Sequence, residues 1–213
     1  MKAQEIREQV CAMGRKLVET KLLVGTWGNI SARIDDKTMA ITPSGRDYLE
    51  LKAEDIVIVN LGDGSYEGLK PSGEKTLHMA IYNHRKEING IIHTHSDNSS
   101  TVAAARREVP AILDDIAQII GPSIRCADYA LPTTKKMSKT TMKALKGRNA
   151  ALLANHGAVC LGRSLDEAYT CCQVLEKGCK AFIEAEFLGG AKGINKFEAY
   201  VMHQVYLRKY SKQ

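Results

Sequence analysis

No stretch of this chain is apolar for the roughly 20 residues that a bilayer-spanning helix needs. Long runs of like charge are missing too. The basic residues are scattered, with short pairs at Arg106-Arg107 and Lys135-Lys136, and the net charge of +6 is modest. Both absences argue against membrane and nucleic-acid partners. Paired C-x-x-C spacing is also lacking, so the six cysteines do not read as a thiolate metal site. The N-terminus is charged, with no apolar core of the kind a secretory leader carries. Cys172 and Cys179 fall instead in an apolar helical pattern, where a free thiol behaves as a small hydrophobe. The expectation is a reduced, cytoplasmic protein. With no internal repeat, low-complexity tract or linker, residues 1–213 read as one domain.

Ile6, Val10, Met13 and Leu17 recur at helical spacing and predict an amphipathic helix over 2–20. Residues 25–29 break it. Segments 30–33 and 39–42 read as a hairpin turned at Asp35-Asp36, and 56–59 as a further strand. Ser72 is a candidate cap that puts Glu74 in the first turn of the next helix, ahead of Leu77, Ala80 and Ile81. A buried-looking strand over 90–93 precedes a helix over 97–107. Residues 110–134 mix short apolar pieces with Gly121-Pro122 and Leu131-Pro132 and carry no regular period. A helix near 137–146, strands at 150–153 and 158–161, a capping box Ser164-x-x-Glu167 opening a helix to about 188, and a last helix from about 195 to 210 complete the chain. The pattern is α/β, with a mixed or largely antiparallel sheet flanked by helices.

The apolar run Ile91-Ile92 ends in His93-Thr94-His95. On an extended strand, residues i and i+2 project to the same side, so His93 and His95 can converge as two metal ligands. His156 sits in the corner Asn155-His156-Gly157 between two apolar strands, a poor place for an imidazole without a partner. Three histidines at two strand ends match catalytic Zn²⁺, which takes three protein ligands and keeps one position open. The plain alternative for His156 is a core histidine bonded to a backbone carbonyl. Glu74 is the candidate base, or else only a favourable charge at a helix start. The turns at 25–29, Ser44-Gly45 and Pro71-Ser72-Gly73 offer backbone N–H groups, hydroxyls and an amide that together could surround one phosphate. His78, His84 and His203 are expected at half-exposed surface.

Gly28-Asn29-Ile30-Ser31, Thr42-Pro43-Ser44-Gly45, Pro71-Ser72-Gly73-Glu74, His93-Thr94-His95 and Asn155-His156-Gly157 occur in an order that resembles the class II aldolase/adducin family, from about residue 5 to 190. The resemblance implies a three-layer α/β/α fold with a central mixed, largely antiparallel sheet. It also implies a homotetramer with active sites at subunit interfaces. By position, His93, His95 and His156 resemble the ligands of one zinc per subunit, and Glu74 the catalytic acid/base. Thr26, Asn29, Ser44, Gly45, Ser72 and Gly73 resemble the turns that hold a substrate phosphate. Tyr210 resembles a tyrosine that closes over a neighbouring site.

The implied reaction cleaves a 1-phosphoketose of the L-fuculose-1-phosphate type to dihydroxyacetone phosphate and an aldehyde such as L-lactaldehyde. Gly73 departs from a serine often found in such aldolases, and Asp114 from a tyrosine. Other activities in the family are alternatives. A ribulose-5-phosphate 4-epimerase would carry aspartates where this chain has Glu74 and Gln118. Adducin-like scaffolds lack the histidine set. A methylthioribulose-1-phosphate dehydratase uses similar ligands and a glutamate.

Overall fold

The computed structural model describes residues 2–209. Its first half contains α1 (Lys2–Glu19), β1 (Asn29–Arg33), β2 (Thr38–Ile41), β3 (Val57–Asn60), α2 (Lys75–His84), β4 (Gly90–Thr94) and α3 (Asp97–Ala104). The second half contains β5 (Val109–Pro110), β6 (Ser123–Ala127), α4 (Lys135–Ala144), β7 (Ala150–Leu153), β8 (Gly157–Gly162), α5 (Leu165–Phe187) and α6 (Lys196–Lys209). The strands form one sheet in the order β3-β2-β1-β4-β8-β7-β6-β5. The β6–β7 pair is parallel and the other strand pairs are antiparallel.

Strands β1, β4, β7 and β8 are buried at every position, because helices cover both faces of the sheet. That explains why β7, β8 and the first part of β4 read as continuous apolar runs, whereas β1 alternates polar Asn29, Ser31 and Arg33 with Ile30 and Ala32. Alternation survives in where the side chains go. Ile92, Ala158 and Cys160 join one core with Leu17 of α1, Val102 of α3 and Leu175 of α5. Ile91, Val159 and Leu161 join a second core with Leu77 and Ile81 of α2 and Met137 of α4. Two cores on opposite faces of one sheet make the three-layer α/β/α architecture.

The structure also resolves the segment without a clear period. Residues 110–134 hold the end of β5, a π-helical turn at Ile116–Ile120, and β6. A π turn has neither the helical nor the strand repeat, and Gly121 at φ 130° breaks the chain directly after it. Helix α3 stops earlier than expected, at Ala104, because Arg106 takes a left-handed φ of 53°. Helix α2 begins with Glu74 itself in the cap position. Ser72 Oγ accepts from the Glu74 N–H at 3.3 Å, a turn contact two residues on rather than the helix cap expected.

Candidate active site

The pleat of β4 sends His93 to the same face as Ile91, the face covered by α2. There it lies opposite Asn29 of β1 and Val159 of β8. The ring is fully buried, and its Nδ1 donates to the Ala158 carbonyl at 2.8 Å. That bond leaves Nε2 as the ring atom aimed at the other two histidines. His95 follows the end of the strand and brings its Nε2 to 2.9 Å from that of His93.

His156 arrives from the β7–β8 turn. A Cβ on Gly157 would stand 2.3 Å from the Thr94 carbonyl oxygen, so only glycine lets β8 approach β4 closely enough here. The ring centroids lie 4.7, 4.8 and 4.9 Å apart, and one nitrogen from each ring falls within 4.8 Å of the others. Two zinc–nitrogen bonds of about 2.0–2.1 Å at a tetrahedral angle hold their nitrogens roughly 3.3 Å apart. Burial, then the neighbouring His93 and His156, pushes the His95 imidazole down to about 4, so the ring is neutral and ready to ligate. The donor set fits a divalent cation.

Glu74 closes this cluster from the start of α2. Its Oε2 lies 3.2 Å from His93 Nε2, and its Oε1 lies 3.2 Å from His156 Nε2. Burial raises the carboxyl pKa, but His93, the Asn29 N–H and His156 outweigh it, and the net position is below the usual glutamate value. The group is therefore an ionised carboxylate held against the His93 and His156 rings, in a place that a cation would also satisfy.

Two of the small-residue turns are joined directly. Ser44 N–H donates to the Lys70 carbonyl at 2.9 Å, and Ser72 N–H to the Thr42 carbonyl at 3.0 Å. Thr42 in turn bonds β1, through its N–H to the Ile30 carbonyl and its Oγ1 from the Ile30 N–H. The N–H groups of Ser44 and Ser72 are thus already used. What the turns offer a ligand is the Thr26 and Ser44 hydroxyls and the peptide N–H groups of Gly45 and Gly73. Thr26, Asn29, Ser44, Gly45, Ser72 and Gly73 all line one cavity of about 440 Å³ together with Glu74 and the three histidines.

Other residues sit differently from expectation. The Asn29 side chain is buried and bridges protein groups, donating from Nδ2 to Glu74 Oε2 at 3.0 Å. His78 is fully buried rather than at the surface, and so is His203, whose Nδ1 donates to the Gln118 carbonyl at 2.7 Å. His84 is exposed as expected. Asp114 is exposed, and Tyr210 lies outside the described residues. Trp27 was not singled out from sequence, yet it stands at the cavity rim, 67% exposed, with its ring 5.8 Å from that of His95. Its signal was being the single tryptophan, placed within a glycine-flanked turn.

Comparison with known proteins places the chain in a family. The family described as "Class II Aldolase and Adducin N-terminal domain" matches residues 8–183. The chain belongs to the class II aldolase and adducin family. A 5-deoxy-D-ribulose 1-phosphate aldolase of Bacillus thuringiensis is 36% identical over 94% of this chain and 99% of its own length. An L-fuculose phosphate aldolase of Escherichia coli is 36% identical over 79% of this chain and 78% of its own length. A solved structure of an L-fuculose 1-phosphate aldolase superimposes with a TM-score of 0.90 at 34% identity, covering 95% of this chain and 96% of the other.

Proposed function

We propose that this protein is a metal-dependent class II aldolase that cleaves a ketose 1-phosphate between C3 and C4, giving dihydroxyacetone phosphate and an aldehyde. The observation that carries this reading is the convergence of His93, His95 and His156 on the Glu74 carboxylate, inside a cavity walled by three turns of small polar residues. Zinc, one per subunit, suits three imidazole ligands. A cation bound by His93, His95 and His156 supplies a Lewis acid for the negative charge that develops as the C–C bond breaks.

The remaining work belongs to the chain's own groups. Glu74 returns a proton to the carbon that becomes part of dihydroxyacetone phosphate, or removes it in the synthetic direction. Cleavage frees the proton of the C4 hydroxyl and consumes one at C3, so no net acid is needed. The Thr26 and Ser44 hydroxyls and the Gly45 and Gly73 N–H groups hold the phosphate, with Ser72 shaping the turn, and binding energy remote from the reacting bond positions the ketose. Nothing in this scheme needs a lysine Schiff base.

The named relatives act on 5-deoxy-D-ribulose 1-phosphate and on L-fuculose phosphate. Their shared chemistry is a 1-phosphoketose with a deoxygenated terminal carbon, so the aldehyde product is acetaldehyde or L-lactaldehyde. A homotetramer working in the cytoplasm, with sites at subunit interfaces, completes the reading. The test is a coupled assay for triose release from L-fuculose 1-phosphate, 5-deoxyribulose 1-phosphate and ribulose 5-phosphate. Triose from the first two, abolished by a chelator, supports the aldolase. Loss of water from a phosphoketose without triose would reassign the site to a dehydratase.

A further inference from the structure

Between β1 and α2 runs a stripe of polar side chains where the packing of the rest of that face calls for apolar ones. Glu74, His78 and Tyr82 recur every fourth residue along α2, and Asn29, Ser31 and Arg33 every second residue along β1. Both periods bring the sets to one interface. His78, Tyr82 and Ser31 are fully buried, and Asn29 is 4% exposed. Polar groups buried this deeply are costly unless each is hydrogen-bonded, and here they bond in series. Asn29 Nδ2 donates to Glu74 Oε2 at 3.0 Å, and Asn29 Oδ1 meets His78 Nε2 at 2.6 Å. His78 Nδ1 meets Ser31 Oγ at 2.6 Å, and Ser31 Oγ meets the Tyr82 hydroxyl at 3.0 Å.

The chemistry of these groups fixes the direction of the bonds from Glu74 through Asn29 and His78 to Ser31. An ionised carboxylate only accepts, so Asn29 must turn its NH₂ toward Glu74 and its oxygen toward His78. That oxygen also only accepts, so the His78 proton must be on Nε2. Burial holds the ring neutral, with its pKa near 3, and a neutral ring has one N–H. Nδ1 is then an acceptor, and Ser31 donates to it. The other tautomer would turn the Asn29 oxygen onto the carboxylate and replace an attraction with a repulsion.

We propose that His78 is a positioning residue for the proton transfer: through its Nε2–H it locks the Asn29 amide, which clamps Glu74 Oε2 and leaves Oε1 as the oxygen that exchanges the proton with substrate. Arg33 anchors the far end, with its guanidinium 4.6 Å from the Tyr82 ring centroid and donating to the Tyr82 carbonyl at 2.8 Å. Helix α2 thereby carries the acid/base at its N-cap and the means of holding it one turn later. The inference rests on the reading of Glu74 as the acid/base.

The test is the exchange of a carbon-bound proton of dihydroxyacetone phosphate with D₂O, followed by NMR on zinc-loaded protein, with bound metal and thermal stability measured on the same samples. This half-reaction reads the proton transfer alone. His78→Leu is expected to lower kcat for exchange about 10- to 100-fold, the scale of a misplaced catalytic group, with KM for the triose and bound metal unchanged. His78→Gln places an amide N–H close to the former Nε2–H and is expected to restore most of the rate. Should the leucine variant fail to fold, His78→Gln and Ser31→Ala decide. Ser31→Ala releases the tautomer and is expected to lower kcat while His78→Gln stays near wild type. Equal losses in the Leu and Gln variants, a loss that follows lost metal, or no loss at all would overturn the role of His78. Absence of exchange in the wild-type protein would instead overturn Glu74 as the acid/base, and this inference with it.

Discussion

Glu74 Oε2 stands 3.2 Å from His93 Nε2, so the carboxylate touches the same nitrogen that points at the candidate metal position. A carboxylate there is close enough both to ligate at rest and to exchange a proton with a substrate oxygen or carbon once displaced. Replacing it by the isosteric amide keeps the shape and the Asn29 contact region but removes the base. Glu74→Gln is expected to cost about 10²- to 10⁴-fold in kcat, the usual range for general acid–base groups. Metal content measured beside the rate checks the assignment. Full metal with lost turnover is the expected pair, whereas lost metal would make Glu74 a required ligand.

Gly157 is expected to tolerate no side chain. Its Cβ would come 2.3 Å from the Thr94 carbonyl oxygen, backbone against backbone, so β8 and β4 must separate to admit it. Gly157→Ala should cost about 1–3 kcal/mol by overpacking, read from urea unfolding. Because His93 lies on one of those strands and His156 directly precedes the other, weaker metal binding should accompany the loss. Unchanged metal affinity would show that the triad does not depend on this close approach.

His95 lies one residue before a second anchor. Glu176 of α5 accepts from Ser96 Oγ at 2.7 Å, from Asn98 N–H and Nδ2, and from Ser99 N–H at 3.0 Å, which gathers the start of α3 onto one carboxylate. Negative charge at a helix N-terminus is favourable, and truncating it leaves several buried donors without a partner. Glu176→Ala is expected to destabilise the fold by about 1–3 kcal/mol for each donor left unsatisfied. Looser metal binding should follow, measured by competition with a chromophoric chelator. Glu176→Gln keeps two acceptor positions on one oxygen and should fall between.

Acid should weaken the metal-free protein in a way that can be traced to His78. Burial, working against the pull of Glu74, lowers that imidazole from 6.5 to about 3. Between those values the unfolded chain binds a proton that the folded chain does not, so stability rises with pH. The contribution is fully present above about 6.5 and is lost as pH falls toward 3. Between pH 7 and pH 5 it amounts to about 2 kcal/mol, at 1.36 kcal/mol per pKa unit. Urea unfolding at both pH values checks the sign. His78→Leu should lose less stability over that interval than wild type; an equal loss would place the acid sensitivity elsewhere.

The convergence of the three histidines was legible because its signals are local: two histidines at strand spacing, and a third in a turn closed by a glycine. Most element positions followed from period alone, since both cores draw on regular apolar repeats. What stayed hidden was tertiary. Nothing in the residues 42–45 and 71–73 announces that their backbones bond each other through Ser44 and Ser72. A lone histidine on a helix reads as surface, and the signal that buries His78 is the joint repeat of Glu74, His78 and Tyr82 against Asn29 and Ser31. His203 was missed for a simpler reason. Its partner is a backbone carbonyl at Gln118, inside a π-helical turn that has no sequence period.

If His93, His95 and His156 hold the metal on which aldol cleavage depends, activity must follow its binding. The most direct measurement is a titration of metal-stripped protein with zinc, reading triose release from 5-deoxyribulose 1-phosphate at each addition. The account predicts activity that rises linearly and breaks at one equivalent per subunit, with no rise in His156→Ala. Activity that is present before zinc is added, or that fails to respond to it, would contradict the account.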